Sequence, residues 1–211
     1  MRALISTQNK LAILWSPKAG SASACEIFFK YCDNFDYKKH YWIHDARIEY
    51  QNSHPEIYKH NFIPIIHDTN YRVIQVVRNP FLRAISSYFF YLSYCNNPTN
   101  FNIFLENIQD KKINCPNAVY HSCDQFMTEY ISDVIKIENM ELDINKINHK
   151  YNIKLEPCKY DTHKWENNMS KIPKEYHIPY QNIADHYSVE LINAIYKKDI
   201  EFFEYSCPWK I

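Results

Sequence analysis

Apolar residues fall in short runs separated by amphipathic stretches. Leu11-Ala-Ile-Leu-Trp15 is an unbroken apolar run ended by Ser16-Pro17, as expected of a strand buried on both faces. From Ser21 to Cys32 the pattern changes to a helical one, with Ala24, Ile27, Phe28 and Tyr31 on one side. Phe62 to Ile66 and Arg72 to Val77 read as two further strands, the second rich in β-branched residues. Pro80 suits the first turn of a helix that continues to about Cys95, and Phe101 to Ile108 reads as another helix. Val134 to Ile137 is a short strand, followed by Glu138-Asn139 and a helix near Leu142 to Ile147. The last helix, over Val189 to Phe203, buries Leu191, Ile192, Ile195, Tyr196, Phe202 and Phe203. Residues 34–60 show no clear period, and 150–186 reads as irregular. Strands alternating with helices predict an α/β fold with a central parallel sheet flanked by helices on both faces, in a single domain over 1–211.

Composition narrows the classes. With 211 residues, 46% of them hydrophobic and 16% aromatic, the chain is a globular domain and not a disordered segment. Lys plus Arg and Asp plus Glu both number 24, so there is no basic excess and no nucleic-acid partner is expected. The N-terminal residues are too polar for a secretory leader, and no run approaches the roughly 18 apolar residues of a membrane span. Seven cysteines without C-x-x-C spacing suggest reduced thiols in a cytoplasmic protein, the alternative being one or two disulfides in the catalytic domain of a luminal protein. No His/Cys ligand set points to a metal. The oddity is glycine. Average usage near 7% would supply roughly 15 in a chain of this length, yet there is one, Gly20.

That glycine stands in a strand–Ser16-Pro17-Lys18-Ala19-Gly20-Ser21-Ala22-Ser23–helix sequence. Backbone N–H groups at a helix start favour an anion, a glycine admits it closely, and a lysine adds a point charge. The Walker A order is absent, because the lysine precedes the glycine. A plain strand-to-helix turn with glycine at a positive φ explains this segment equally well.

A second segment, Arg78-Asn-Pro80-Phe-Leu-Arg83-Ala-Ile-Ser86-Ser-Tyr88, also joins a strand to a helix. Arg78 belongs at the carboxyl edge of the sheet, where open α/β folds bind ligands. Arg83 and Ser86, three apart, share a helix face. Three of only five arginines (Arg72, Arg78, Arg83) fall within twelve residues, and arginine suits bidentate phosphate recognition. The plainer alternative makes Arg83 a surface charge and Arg78 part of a structural ion pair.

Together the two segments resemble the PAPS-dependent sulfotransferases. That family carries a Pro-Lys-Ser-Gly-Thr-Thr-like loop for the 5′-phosphosulfate and an Arg-x-Pro-x-x-Arg-x-x-Ser-x-Tyr segment whose first Arg and Ser hold the 3′-phosphate. The first loop departs here at Ala19 and Ala22, and the second segment matches at Arg78, Pro80, Arg83, Ser86 and Tyr88. Ile135-Lys-Ile-Glu138-Asn139 and Ile195 to Tyr205 are similar to the strand–Glu-Asn and closing-helix segments of the carbohydrate sulfotransferase group.

The resemblance implies a P-loop-type fold and in-line transfer of a sulfuryl group from PAPS to a hydroxyl of a carbohydrate or other small acceptor, without a metal. Lys18 would reach the bridging oxygen and the transferred group. Ala19, Gly20, Ser21, Ala22 and Ser23 would hold the 5′-phosphate, with Ser23 compensating for the hydroxyl missing at Ala22. Arg78 and Ser86 would read the 3′-phosphate, and a polar loop with His163, Asn168 and Ser170 would close over the nucleotide. The general base is expected at His67, with His44 and His40 next and Glu26 behind them. Tyr41, Trp42 and Trp165 are candidates for stacking on a sugar. A P-loop nucleotide kinase and a non-catalytic nucleotide-binding module of the same fold are the alternatives, and the oligomeric state stays open. Since a side chain at position 20 would crowd the phosphate, Gly20→Val is expected to cost donor binding more than folding.

Overall fold

The computed structural model describes residues 2–32, 35–58, 70–94, 99–110, 112, 129–158, 176 and 182–209. Four strands form one sheet in the order β1-β2-β3-β4: β1 (Arg2–Ser6), β2 (Leu11–Trp15), β3 (Arg72–Val77) and β4 (Asp133–Lys136). β2 pairs with β3 in parallel from Leu11↔Arg72 to Trp15↔Val76, and β3 with β4 in parallel from Ile74↔Asp133 to Val77↔Lys136. The sheet is therefore mainly parallel, as the alternating pattern predicts, with one departure. β1 runs antiparallel to β2, pairing Arg2 with Trp15 and Ser6 with Leu11. The turn between them is tied by Ser6 Oγ, which accepts from Asn9 N–H at 3.2 Å and from Asn9 Nδ2 at 3.1 Å. A hairpin strand needs no crossover helix, so strand–helix alternation carries no sign of it.

Within the stretch 1–211 read as one domain, the contacts separate two compact units. One comprises Met1–Val77 with Asp124–Lys159, the other Arg78–Cys123 with Tyr160–Ile211.

The first unit holds the whole sheet. On one face Leu11, Ile13, Trp15, Ile74, Val76 and Ile135 pack with α1 (Ser21–Tyr31), α2 (Ile43–Ser53) and, later in the chain, a helix over Met140–Tyr151. On the other, Ala3, Ile5, Ala12, Leu14 and Val73 pack with Ile57 of α3 (Pro55–Tyr58). Burial on both faces is why β2 reads as an unbroken apolar run. α2 has few apolar residues to bury, chiefly Ala46 and Tyr50. Tyr50 nevertheless anchors it, through edge contacts with Phe28 and Phe29 and a hydroxyl that donates to Ile5 C=O at 3.1 Å. Tertiary packing, not local periodicity, makes that helix.

The second unit contains α4 (Pro80–Leu92), α5 (Phe101–Gln109), α7 (His186–Ile195) and α8 (Lys197–Phe202), the Met140–Tyr151 helix being α6. Its core joins Phe81, Ile85, Tyr88, Phe104, Leu105, Leu191, Ile192 and Tyr196. The single closing helix expected over Val189 to Phe203 is two. A capping box between Asp185 and Ser188 starts α7 at His186, and Tyr196 interrupts the run at φ −108°, ψ 22°. The strand expected at Phe62 to Ile66 lies outside the described residues.

Candidate functional site

The first candidate loop lies in the sheet-bearing unit, where β2 hands the chain to α1. Ser16 C=O accepts the N–H of Ala19 at 3.2 Å. This closes a four-residue turn with Pro17 second and Lys18 third, and Lys18 has φ +62°. A negative φ imposed by proline followed by a positive φ is the backbone pattern of a type II turn, whose third residue is ordinarily glycine or asparagine. Lysine in the left-handed region costs about 1–2 kcal/mol. Strained residues gather at binding sites as well as in plain turns, and Lys10 in the β1–β2 turn also has a positive φ. No feature of the sequence announces the strain at Lys18, since lysine is not a turn residue.

Two residues later Gly20 caps α1 at φ +90°, ψ 39°. It supplies no side-chain cap, and the first turn of α1 carries no acidic residue. The helix's own ladder begins with Ala24 N–H to Gly20 C=O at 2.9 Å. The N–H groups of Ser21, Ala22 and Ser23 therefore precede the ladder, at the positive end of the helix dipole. Such a start favours an anion.

The loop residues play unequal parts. Ala19 is fully buried and spends its N–H on the turn. Ser21 and Ala22 are half-buried at the loop's surface. Ser23 is buried, and its hydroxyl bonds the thiol of Cys158. Of Ser21 and Ser23, Ser21 is the more exposed. Burial, then the hydrogen bond from Cys158 to the Glu26 carboxylate (2.7 Å), pushes the Cys158 thiol up to about 12. The same carboxylate pairs with Lys30 at 2.9 Å. Glu26, considered as a base, is held by both partners.

The glycine has a second reason to be there. A Cβ at position 20 would lie 2.8 Å from Ile137 Cγ1 and closer still to its Cδ1, with Val76 Cγ1 at 3.5 Å. Together with φ +90°, this makes any side chain costly to folding before a ligand is considered. Gly20→Val, expected to cost donor binding more than folding, therefore carries a folding cost of its own. Ile137 opens the short 3-10 turn Ile137–Asn139 directly after β4.

β2 and β3 are parallel neighbours, so both leave the sheet at the same edge. The residue after β3 is Arg78, the first of the second unit. There Asn79 caps α4 by accepting from Phe81 N–H at 3.0 Å, with Pro80 at the first helical position, as the sequence predicts. Arg78 and Ser86 are half-buried. Arg83 is not a surface charge: its Nη1 meets Asp199 Oδ2 at 3.0 Å with both side chains almost wholly buried, and its guanidinium lies 5.4 Å from the Tyr196 ring centre. Tyr88 is buried, its hydroxyl donating to Thr99 C=O at 2.7 Å, and burial raises its phenol well above the usual range.

Among the candidate bases, His44 sits half-buried in the first turn of α2, edge-on to Trp42 at 6.5 Å. His40 stacks on Phe35 at 6.3 Å and places Nε2 3.0 Å from Glu49 Oε2. Tyr41 is 94% exposed and Trp42 54%, in contrast to the buried ring cluster of Phe28, Phe29 and Tyr50. His67, His163, Trp165, Asn168 and Ser170 lie outside the described residues. Among the described residues no group of His, Cys, Asp and Glu side chains is arranged to hold a metal ion, and no helix is long and apolar enough to cross a membrane.

A search of curated proteins finds no match to the chain. A model of the sulfotransferase family matches residues 1–206, which takes in both units, the Lys18–Gly20 loop and the Arg78–Ser86 segment. The chain belongs to the sulfotransferase family.

Proposed function

We propose that the protein transfers a sulfuryl group from PAPS to a hydroxyl of a carbohydrate or another small acceptor. The observation that carries this reading is the loop: an uncapped helix start behind Gly20, preceded by a lysine held at φ +62°. The arrangement suits an anion whose negative charge grows on its leaving oxygen during transfer. Electrostatic stabilisation of that oxygen is the main catalytic demand of such an in-line displacement, and correct placement of the two reactants is the other.

In this reading the amides of Gly20 to Ser23 and the Ser21 hydroxyl hold the 5′-phosphate, and Lys18 meets the bridging oxygen and the sulfuryl group. Arg78 and Ser86 take the 3′-phosphate, the group that separates PAPS from ATP. The acceptor hydroxyl gives its proton to an imidazole, His67 or His44, as it attacks sulfur. The products are the sulfate ester and adenosine 3′,5′-bisphosphate. Exposed rings at Tyr41 and Trp42 support a carbohydrate acceptor, since an aromatic face combines apolar area with low conformational cost. A cytoplasmic setting is part of this proposal.

Calorimetry with adenosine 3′,5′-bisphosphate and with ADP tests the donor. The bisphosphate is expected to bind in the micromolar range and ADP far more weakly. Preference for ADP would favour a nucleotide kinase, and binding of neither would leave a non-catalytic module.

A further inference from the structure

The space beneath Gly20 is filled from another part of the sheet-bearing unit. Ile137 enters it from the turn after β4, and Val76 of β3 lies alongside. These two side chains form the floor on which the loop rests. Ile137 is itself fixed from behind. The residue before it, Lys136, is the last of β4 and donates its N–H to Asp143 Oδ2 at 2.9 Å, binding the strand end to the first turn of α6. The chain on either side of the wedge is thus held by the sheet and by a helix. The loop above it has two positive-φ residues, Lys18 and Gly20, so its conformation is one that the local sequence does not favour by itself. Something outside the loop must select it.

Ile137 also differs from the residues around it. Val76 and Ile135 are fully buried in the core, whereas Ile137 is half-buried at the margin. It packs against the edge of the core while reaching the space under Gly20.

We propose that Ile137 is a positioning residue for the donor loop. Its side chain occupies the volume a Cβ at position 20 would need, and by doing so it fixes the path of the backbone from Lys18 to the first amides of α1. The functional half of this inference rests on the reading that the loop holds the donor's 5′-phosphate; the steric half does not. The only glycine of the chain and an isoleucine more than a hundred positions away then form one device, in which neither can change size alone.

A double-mutant cycle decides the steric half. Gly20→Ala is expected to lower the thermal midpoint by about 5 °C or more, given the usual 2–4 °C per kcal/mol for a chain of this size. In an Ile137→Ala background the same change should cost about half as much, because the clash is gone and only the positive φ still penalises alanine. Equal penalties in both backgrounds overturn the wedge. Should Ile137→Ala fail to fold, Ile137→Val carries the same cycle with a smaller relief. Titration with adenosine 3′,5′-bisphosphate, well below the midpoint, decides the functional half. Ile137→Ala should bind about tenfold more weakly, the scale on which loosened support for a binding group is felt, and Ile137→Val should recover most of the loss. Unchanged affinity in Ile137→Ala overturns positioning even where the thermal cycle shows coupling. If the unaltered protein fails to bind the bisphosphate, the donor reading falls and positioning falls with it, while the thermal cycle still rules on the wedge.

Discussion

The loop at residues 16–23 departs from the family's pattern at Ala19 and Ala22, yet its backbone is shaped for an anion. The segment at 78–88 matches the pattern at every quoted position, yet much of it faces inward. On the proposed reading the loop presents the donor mainly through the amides of α1, with Lys18 and the Ser21 hydroxyl beside them, so two hydroxyl-bearing positions can become alanine. In the second segment Pro80 starts a helix, Arg83 closes a buried ion pair with Asp199, and Tyr88 ties α4 to Thr99. That leaves Arg78 and Ser86 as the matched positions at the margin. A motif records what a fold needs as well as what a ligand needs, and residue identity alone does not separate the two.

The strongest way to break this comparison is at Lys18. Lys18→Ala should reduce turnover with PAPS and a true acceptor by about a thousandfold, the size of effect seen when a donor to a developing oxyanion is removed. Affinity for the bisphosphate product, which lacks the sulfuryl group, should fall by no more than about tenfold. Turnover surviving the substitution would show that the loop presents the donor without using its lysine.

The two arginines supply the next largest contrast. Arg83→Met removes the guanidinium paired with the buried Asp199 carboxylate, and breaking such a pair typically costs about 3–5 kcal/mol. The thermal midpoint should drop by roughly 10 °C on the usual 2–4 °C per kcal/mol. Arg78→Ala should barely move the midpoint but weaken the bisphosphate by about ten- to a hundredfold, the worth of a charge-assisted hydrogen bond. ADP, lacking the 3′-phosphate, should bind Arg78→Ala and the unaltered protein alike. An Arg78 variant that melts early and binds normally would reverse the assignment of the two residues.

Much of this was legible in the chain. The run Leu11–Trp15, the β-branched Arg72–Val77 and the Asn79-Pro80 helix start give their elements directly, because burial on two faces and a proline-led first turn leave strong marks. Two kinds of feature were not legible. β1 owes its form to its hairpin partner β2 and α2 to the Phe28–Phe29 pair, and neither has the pattern of a free-standing element. Arg83 illustrates the other kind: its partner Asp199 lies more than a hundred residues away, and a lone arginine on a helix carries no sign of which way it turns. Ile137 is hidden for the same reason. Gly20 drew notice as the only glycine, but what occupies the space beside it is a property of the fold.

The smallest predicted effect separates backbone from side chain at one position. Lys18→Gly and Lys18→Ala both remove the amine, so both should be inactive. They differ in the backbone: alanine keeps the left-handed penalty and glycine does not. The glycine variant should be the more stable, by up to about 1 kcal/mol once its greater unfolded-state entropy is set against the 1–2 kcal/mol relieved, or roughly 2–4 °C in the midpoint. Equal midpoints would mean that position 18 carries no net strain, and that the lysine owes its orientation to its side-chain contacts alone. A more stable but inactive glycine variant would show the opposite. A chain that uses glycine once would then be holding a lysine where glycine fits better, which makes sense only if the amine at that place is worth the stability lost.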